Sequence, residues 1–407
     1  MTKTTSRGAT AIFPDARTRK PRVPITVRAA YRVSITELTR NNCSTYKLGS
    51  FQYRGEFEAV ARQTNHAGWA RDAACAAILV ALSAAAVATA APHNGIRITD
   101  HLYGTHFVDA GNGWVVGAFG TILRTRDGGE SWQLQVSHTS EHLYSVHFAD
   151  VQHGWVVGRS GLILHTSNGG DAWEQQSVGG DRPLFDVQAL DPQRAWIVGD
   201  WGTILATHDG GKTWETRSLD RDVILNALSW PDDQHGWIVG EGGAVIATTD
   251  GGTTWADQAS GVDKTLFGVD FTDAQHGWAV GLDGLILRTT DGGHTWQVQH
   301  GDTAVAALEQ VGFEQAMENP SLYAVAVAGQ RGYAVGDNGG VFATDDGGQT
   351  WHRKKMPAGA NLRWIRALSL VSGTHGLFVG ANGLTVRVAG DQIQLPEGEK
   401  HAAQMGD

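Results

Sequence analysis

The sequence predicts an all-β chain whose body is a seven-bladed β-propeller of four-stranded blades, preceded by a signal peptide or membrane anchor. Three observations carry this. A Gly-Trp-apolar-Val-Gly pattern recurs at Trp114, Trp155, Trp196, Trp237 and Trp278, 41 residues apart each time, with Ala195 replacing the first glycine in the third copy. A second pattern, (S/T)-x-(D/N)-G-G-x-(S/T/A)-W, ends at Trp132, Trp173, Trp214, Trp255, Trp296 and Trp351, with steps of 41 and a last step of 55. Weaker copies around Tyr333 (GYAVG) and Leu377 (GLFVG) bring the series to seven. Units of ~40–45 residues holding four strands have the period of a propeller blade, and propellers carry about 4–8 blades.

Composition and charge narrow the class. With 41% hydrophobic and 18% charged residues, the chain is not wholly disordered. Its 53 glycines in 407 residues follow no collagen-like period. Residues 1–72 hold 13 Lys and Arg against 5 Asp and Glu, whereas 73–407 hold 19 against 37. An acidic body repels phosphate backbones, so no nucleic-acid partner is expected. Cys43 and Cys75 both lie outside the propeller, leaving it without a disulfide framework or thiolate site.

Three segments follow in order. Residues 1–72 are basic and unlike the rest; they read as a disordered cytoplasmic tail or as sequence upstream of the true translation start. Residues 73–91 (AACAAILVALSAAAVATAA) are uncharged. Their apolar run and Ala88-Thr89-Ala90 fit a cleaved signal, and their length also suits an anchor. Residues 92–407 form the propeller. In the second unit, Leu143–Phe148 is the first strand, Gly154–Gly158 the second, Gly161–Thr166 the third, and WEQQS after the box the fourth. Short strands between glycine-rich turns argue for sheet, and no i, i+3, i+4 apolar period argues for helix. Either Gly95–Thr99 or Asp391–Leu395 is expected to complete the outermost strand that closes the ring.

The box reads as a fold staple between strands three and four. Asp127, Asn168, Asp209, Asp250, Asp291 and Asp346 accept bonds across a turn whose glycines take positive φ. The tryptophans at its end, Trp132, Trp173, Trp214, Trp255, Trp296 and Trp351, anchor the hairpin. The boxes lack the several oxygens and bidentate glutamate of a calcium loop, so no metal is expected. His153, His235, His276 and His375 fall in separate blades, in a slot that Arg194 and Arg331 fill elsewhere, and read as turn residues.

The box resembles the Asp-box of bacterial neuraminidase repeats. The longer unit, L(Y/F)xVxF followed by GWxVGxxGxILxTxDGGxTW over Leu102 to Val388, resembles the photosystem II stability and assembly factor family. That resemblance implies a lumenal, non-catalytic seven-bladed propeller that binds exposed segments of a membrane protein, partly through an arginine patch. The client would be a photosystem II core subunit in a photosynthetic source, with other clients among non-photosynthetic relatives. The patch does not map residue by residue: Arg124, Arg288 and Arg387 share a slot that His165, Ala206, Ala247 and Ala343 occupy elsewhere. The implied location is periplasm or thylakoid lumen, as a monomer, with no cofactor.

A sialidase-like hydrolase, or a glycan- or peptide-binding propeller, is the alternative. Sialidases use a tyrosine nucleophile, but Arg97-Ile98 is followed by Thr99, not the proline of their Arg-Ile-Pro signature. Tyr103, Tyr144 and Tyr323 share a first-strand slot and Tyr333 replaces a repeat tryptophan, so all four read as packing residues. No catalytic residue is assigned. The turns between strands two and three vary most and mark the expected binding face: Phe119, Arg159, Asp200 and Trp201 stand there, with Trp201 belonging to no staple. The additional residues between blades five and six include AVAALEQVGFEQAMEN, read as a short helix. Arg353, Lys354, Lys355, Arg363 and Arg366 form a basic connection between blades six and seven, suited to an acidic client segment.

Overall fold

A computed structural model describes residues 99–301, 319–357, 360, 362–390 and 392–395, with the backbone of seven short strands before residue 61. The chain divides into two units, Met1–Ala91 and Pro92–Asp407. In the first, Ala9–Ala11, Ile25–Ala29 and Phe57–Val60 pair as a three-stranded antiparallel sheet. The apolar stretch at 73–91 and the segment 302–318, read above as a leader and a short helix, lie outside the described residues. Among the described residues no helix is long and apolar enough to cross a membrane.

The second unit is seven four-stranded antiparallel sheets, each made of consecutive strands. Blade 1 comprises Leu102–Phe107, Gly113–Gly117, Ile122–Thr125 and Gln133–Gln135. The inner strands of blades 2 to 7 are Leu143–Phe148, Leu184–Ala189, Leu225–Ser229, Leu266–Phe271, Leu322–Ala328 and Ile365–Ser372. Of the two segments expected to complete the outermost strand, residues 95–98 lie outside the described residues, and among the described residues no strand is shared between blades 7 and 1. Gln392–Gln394 is simply the outer strand of blade 7, paired with Arg387–Ala389. The joint between blades 7 and 1 is made by side chains and turns. Leu377 and Val379 pack on Leu102, Val115 and Leu123, Gly383 N donates to Asp100 O (2.8 Å), and Arg387 pairs with Glu130 at 3.3 Å.

The cores lie between blades, one at each joint. The second-strand tryptophan of one blade stacks on the aromatic at the end of, or just past, the inner strand of the next: Trp114 on Phe148, Trp196 on Trp230, Trp237 on Phe271. The box tryptophan of that next blade meets the same ring edge-on, as Trp173 does Phe148 and Trp296 does Phe271. The inner aromatic also explains the irregular Ala195. A Cβ on Gly154 would stand 2.5 Å from the Phe148 ring, so glycine is required beneath it. In blade 3 the aromatic is replaced by Ala189, paired with Ala195, and room for a methyl appears.

In the box, Thr207 Oγ1 and Thr213 N donate to Asp209 Oδ1 (both 2.9 Å), while Thr213 Oγ1 donates to Oδ2 (2.7 Å). These bonds to the ionised form hold the Asp209 carboxyl down at about 2, the Thr213 hydroxyl contributing most. Blade 2 changes two positions together. Asn168 offers Oδ1 to Thr166 and Ala172 N, and its amide end meets no hydroxyl because Ala172 replaces the usual Ser or Thr. The first box glycine also ties blades together: its carbonyl, Gly169 O, accepts from Trp114 Nε1 and Gln135 Nε2 of blade 1 (both 3.1 Å).

A polar belt stitches the inner strands. His106 Nδ1 accepts Phe148 N, His147 Nδ1 accepts Ala189 N, Gln188 Oε1 accepts Trp230 N, and Ser229 Oγ accepts Phe271 N. Asp270 Oδ2 accepts Val327 N and Ser369 Oγ accepts Phe107 N, closing the circle. Blade 6 offers only Ala326 at this level, so six of the seven joints carry the stitch. An accepting Nδ1 requires the neutral Nε2–H imidazole in both histidines.

Candidate partner-binding face

One face of the ring carries the connections between strands one and two together with the boxes. There the first box glycine donates back to its own blade, as Gly128 N does to Gly111 O and Gly210 N to Gln193 O. His153, His235 and His276 stand in these turns with Nδ1 on Asp150, Asp232 and Asp273 at 2.9–3.0 Å. The aspartates also accept the backbone N–H of the histidines, so the turn cap is the carboxylate. Among the described residues no group of three or more His, Cys, Asp or Glu is placed to hold a metal.

The other face carries the turns between strands two and three. All seven have one backbone. The residue entering the turn donates to the carbonyl just before the inner strand, as Ala118 N does to His101 O and Ala381 N to Trp364 O. The middle residue is left-handed in each: Phe119, Ser160, Trp201, Gly242, Asp283, Asn338 and Asn382, with φ between 52° and 64°. Gly, Asn and Asp accept that conformation, whereas other L-residues bear roughly 1–2 kcal/mol. Phe119 and Trp201 bear it while remaining 68% and 49% exposed. Backbone held in such sparsely populated regions clusters at ligand clamps and switch regions in proteins generally. Trp201 N donates to Asp200 Oδ1 and Arg182 lies over its ring at 5.2 Å, while Phe119 leans on His142.

Of the residues expected to bind, Phe119, Arg159, Asp200 and Trp201 therefore stand on neighbouring tips of blades 1 to 3. Of the basic residues, Lys354, Lys355 and Arg363 lie in the connection between blades 6 and 7, with Arg353 and Arg366 on the strands that flank it. Arg353 belongs to the outer strand of blade 6 and Lys354 and Lys355 follow it. Arg363 holds the blade 6 tip through its carbonyl, which accepts Gly339 N. Arg366 lies on the inner strand of blade 7, inside the ring.

A feature not anticipated surrounds the channel on this face. Every inner strand has a register shift after its first residue, which leaves its second residue as a bulge: Tyr103, Tyr144, Phe185, Asn226, Phe267, Tyr323 and Arg366. A bulge re-aims its side chain out of the sheet alternation. All seven are half-buried, and they meet across blades: Tyr103 with Tyr144, Tyr144 with Phe185, Phe267 with Tyr323. All four propeller tyrosines, read from the sequence as packing residues, do pack on neighbouring rings. Tyr333 is buried in the core between blades 6 and 7, but the other three form a collar at the channel mouth. Trp364 joins them, stacked parallel on Tyr103 at 6.0 Å.

Burial pushes the Asp186 and Asp270 carboxyls up to about 6. Such a value suits a general acid, yet both carboxylates are occupied in joining blades. Asp186 accepts Ser145 Oγ and the N–H groups of Val187 and Leu228, and Asp270 accepts Val327 N.

The matches to known proteins agree with this architecture. Residues 86–183, 172–260 and 255–359 match the family described as Photosynthesis system II assembly factor YCF48. No curated protein matches the chain. Among solved structures, YCF48 bound to D1 peptide is 23% identical with a TM-score of 0.58, over 72% of this chain and 95% of that one. YCF48 from Cyanidioschyzon merolae is 20% identical with a TM-score of 0.58, over 72% and 97%. The GH74 xyloglucanase from Xanthomonas campestris shares the fold at 14% identity and a TM-score of 0.58, over 72% of this chain and 52% of that one. With its family match running through most of the ring, the chain belongs to the photosynthesis system II assembly factor YCF48 family.

Proposed function

We propose that this propeller is a non-catalytic, exported assembly factor, acting as a monomer in the periplasm or thylakoid lumen. It captures an exposed segment of a membrane-protein client on the face bearing Phe119 and Trp201. The observation that carries the reading is the pair of exposed aromatics held in a strained backbone that Asn or Gly would occupy freely. Family membership supports an assembly role, and the D1 peptide bound to a YCF48 of the same fold supports a photosystem II core subunit as the client. Hydrolysis is not favoured, since both carboxylates of raised pKa are engaged in joining blades.

The test is capture of membrane proteins from solubilised native membranes by the full chain and by a Phe119→Asn, Trp201→Asn double variant that copies Asn338 and Asn382. Capture is expected to fall about tenfold or more, as for a central aromatic anchor. Stability should hold or rise by ~1 kcal/mol as left-handed strain is relieved. Capture at the wild-type level by a folded double variant overturns this placement of the site.

A further inference from the structure

Arg366 is the exception in a collar otherwise built of six-membered rings and one amide. Its guanidinium lies 4.5 Å from the centre of Tyr323 on the neighbouring blade and 5.9 Å from Phe267, two blades away. A side chain of blade 7 that reaches blade 5 past blade 6 must extend across the channel mouth. There it is desolvated, which pulls its pKa below the usual arginine value. Five N–H donors in a fixed planar fork require acceptors, and among the described residues neither a hydrogen bond nor an ion pair reaches them. Two carboxylates exert a field on it, Asp337 and Asp186. Neither is within pairing distance: Asp337 Oδ2 is taken by Tyr323 Oη (2.8 Å), and Asp186 by Ser145 and two backbone N–H groups. The guanidinium is thus fixed by aromatic faces with its hydrogen-bonding edge uncommitted, in a ring of Tyr103, Tyr144, Phe185, Phe267 and Tyr323.

We propose that the channel mouth is a receptor for a carboxylate on an extended peptide, held by the Arg366 fork, with the collar rings covering the apolar group beside it. The ligand class follows from geometry. A planar, bidentate donor matches a carboxylate better than a carbonyl or ammonium group, and the rings favour an apolar neighbour. The carboxylate comes from an acidic side chain or from a chain terminus. The inference rests on the client-binding reading of this face, but it concerns a different part of it from the tips of Phe119 and Trp201.

The experiment titrates the full chain with three synthetic peptides by calorimetry: acetyl-Ala-Ala-Phe-Ala as free acid, the same peptide as amide, and acetyl-Ala-Glu-Phe-Ala amide. At least one carboxylate peptide is expected to bind about tenfold or more tightly than the neutral amide, the gain of a charge-assisted bidentate contact. Preference for the free acid assigns a terminus, and preference for the Glu peptide assigns a side chain. Arg366→Met should abolish the preference in a protein whose far-UV spectrum and thermal transition show the ring folded. Arg366→Lys should keep only part of it, because charge remains and the fork is lost. The Phe119→Asn, Trp201→Asn variant should discriminate as the wild type does, so loss of client capture there leaves this inference standing. Equal affinity for all three peptides, absence of binding by all of them, or a preference that survives Arg366→Met overturns it.

Discussion

Replacing Trp237 with alanine is expected to lower the stability of the propeller by ~3–5 kcal/mol, read as a fall in urea midpoint at unchanged slope. The ring is 1% exposed and stacks on Phe271 of the following blade at 3.6 Å, so truncation opens a void between two blades. Its Nε1 donates to Gly292 O (3.0 Å), but Gln258 Nε2 donates to the same carbonyl (2.9 Å). No orphaned carbonyl results, and the loss measures packing. Trp296→Ala should cost less, because the box tryptophan is half-buried and only edges Phe271. Equal losses from the two would mean that the box, not the stacked pair, holds the joint.

Between pH 6.5 and 4, two titrations of buried inner-strand groups should oppose each other in the wild type and separate in variants. Burial depresses His106 to about 4 and His147 well below its ordinary value, with each imidazole needed neutral to accept a backbone N–H. The unfolded chain then binds more protons than the native one across this window, so these groups make stability fall as pH falls. The shift of His106 alone corresponds to ~3 kcal/mol. Asp186 and Asp270, raised to about 6 by burial, act in the opposite sense, since the native state holds their protons more tightly between about 4 and 6. A His106→Gln, His147→Gln variant borrows the solution of Gln188 and should gain stability as pH drops from 6.5 to 4. Asp186→Asn with Asp270→Asn should lose it over the same range. Chemical denaturation at each pH reads the slopes, and parallel slopes in the two variants contradict the assignment. Below pH 4 the box carboxylates at Asp209, Asp250, Asp291 and Asp346, held near 2, add a further loss as they protonate.

Much of the architecture was legible because the repeat exposes its own grammar. The strands of blade 2 fall where LYSVHF, GWVVG and WEQQS place them; the third starts two residues later than expected, at Ile163, because Arg159–Gly161 is the tip. The tips were legible as variation within a constant frame. The collar was not. Simple alternation treats Tyr103 as one more strand residue, and nothing in LYGTHF announces the bulge that turns it to the channel. Arg366 misled for a related reason. It sits close in sequence to Arg363 and the lysines, yet the inner strand begins at Ile365, so two neighbouring arginines face different surroundings. Phe119 and Trp201 showed in the sequence as odd side chains, while their left-handed φ is a property of the tip, visible only in coordinates.

The joint between blades 7 and 1 has a consequence for how the molecule is bounded. A linear array of repeats ends in two sticky apolar surfaces and needs special terminal units to cover them. Here Leu377 and Val379 supply to Leu102 and Leu123 what each blade supplies to the next, and Ser369 supplies the same stitch as Ser229. The ring is therefore its own cap. Seven is a closure condition as much as a count: a ring with one unit removed would present two uncovered faces to water, and neither the first nor the last blade carries residues suited to meet it alone.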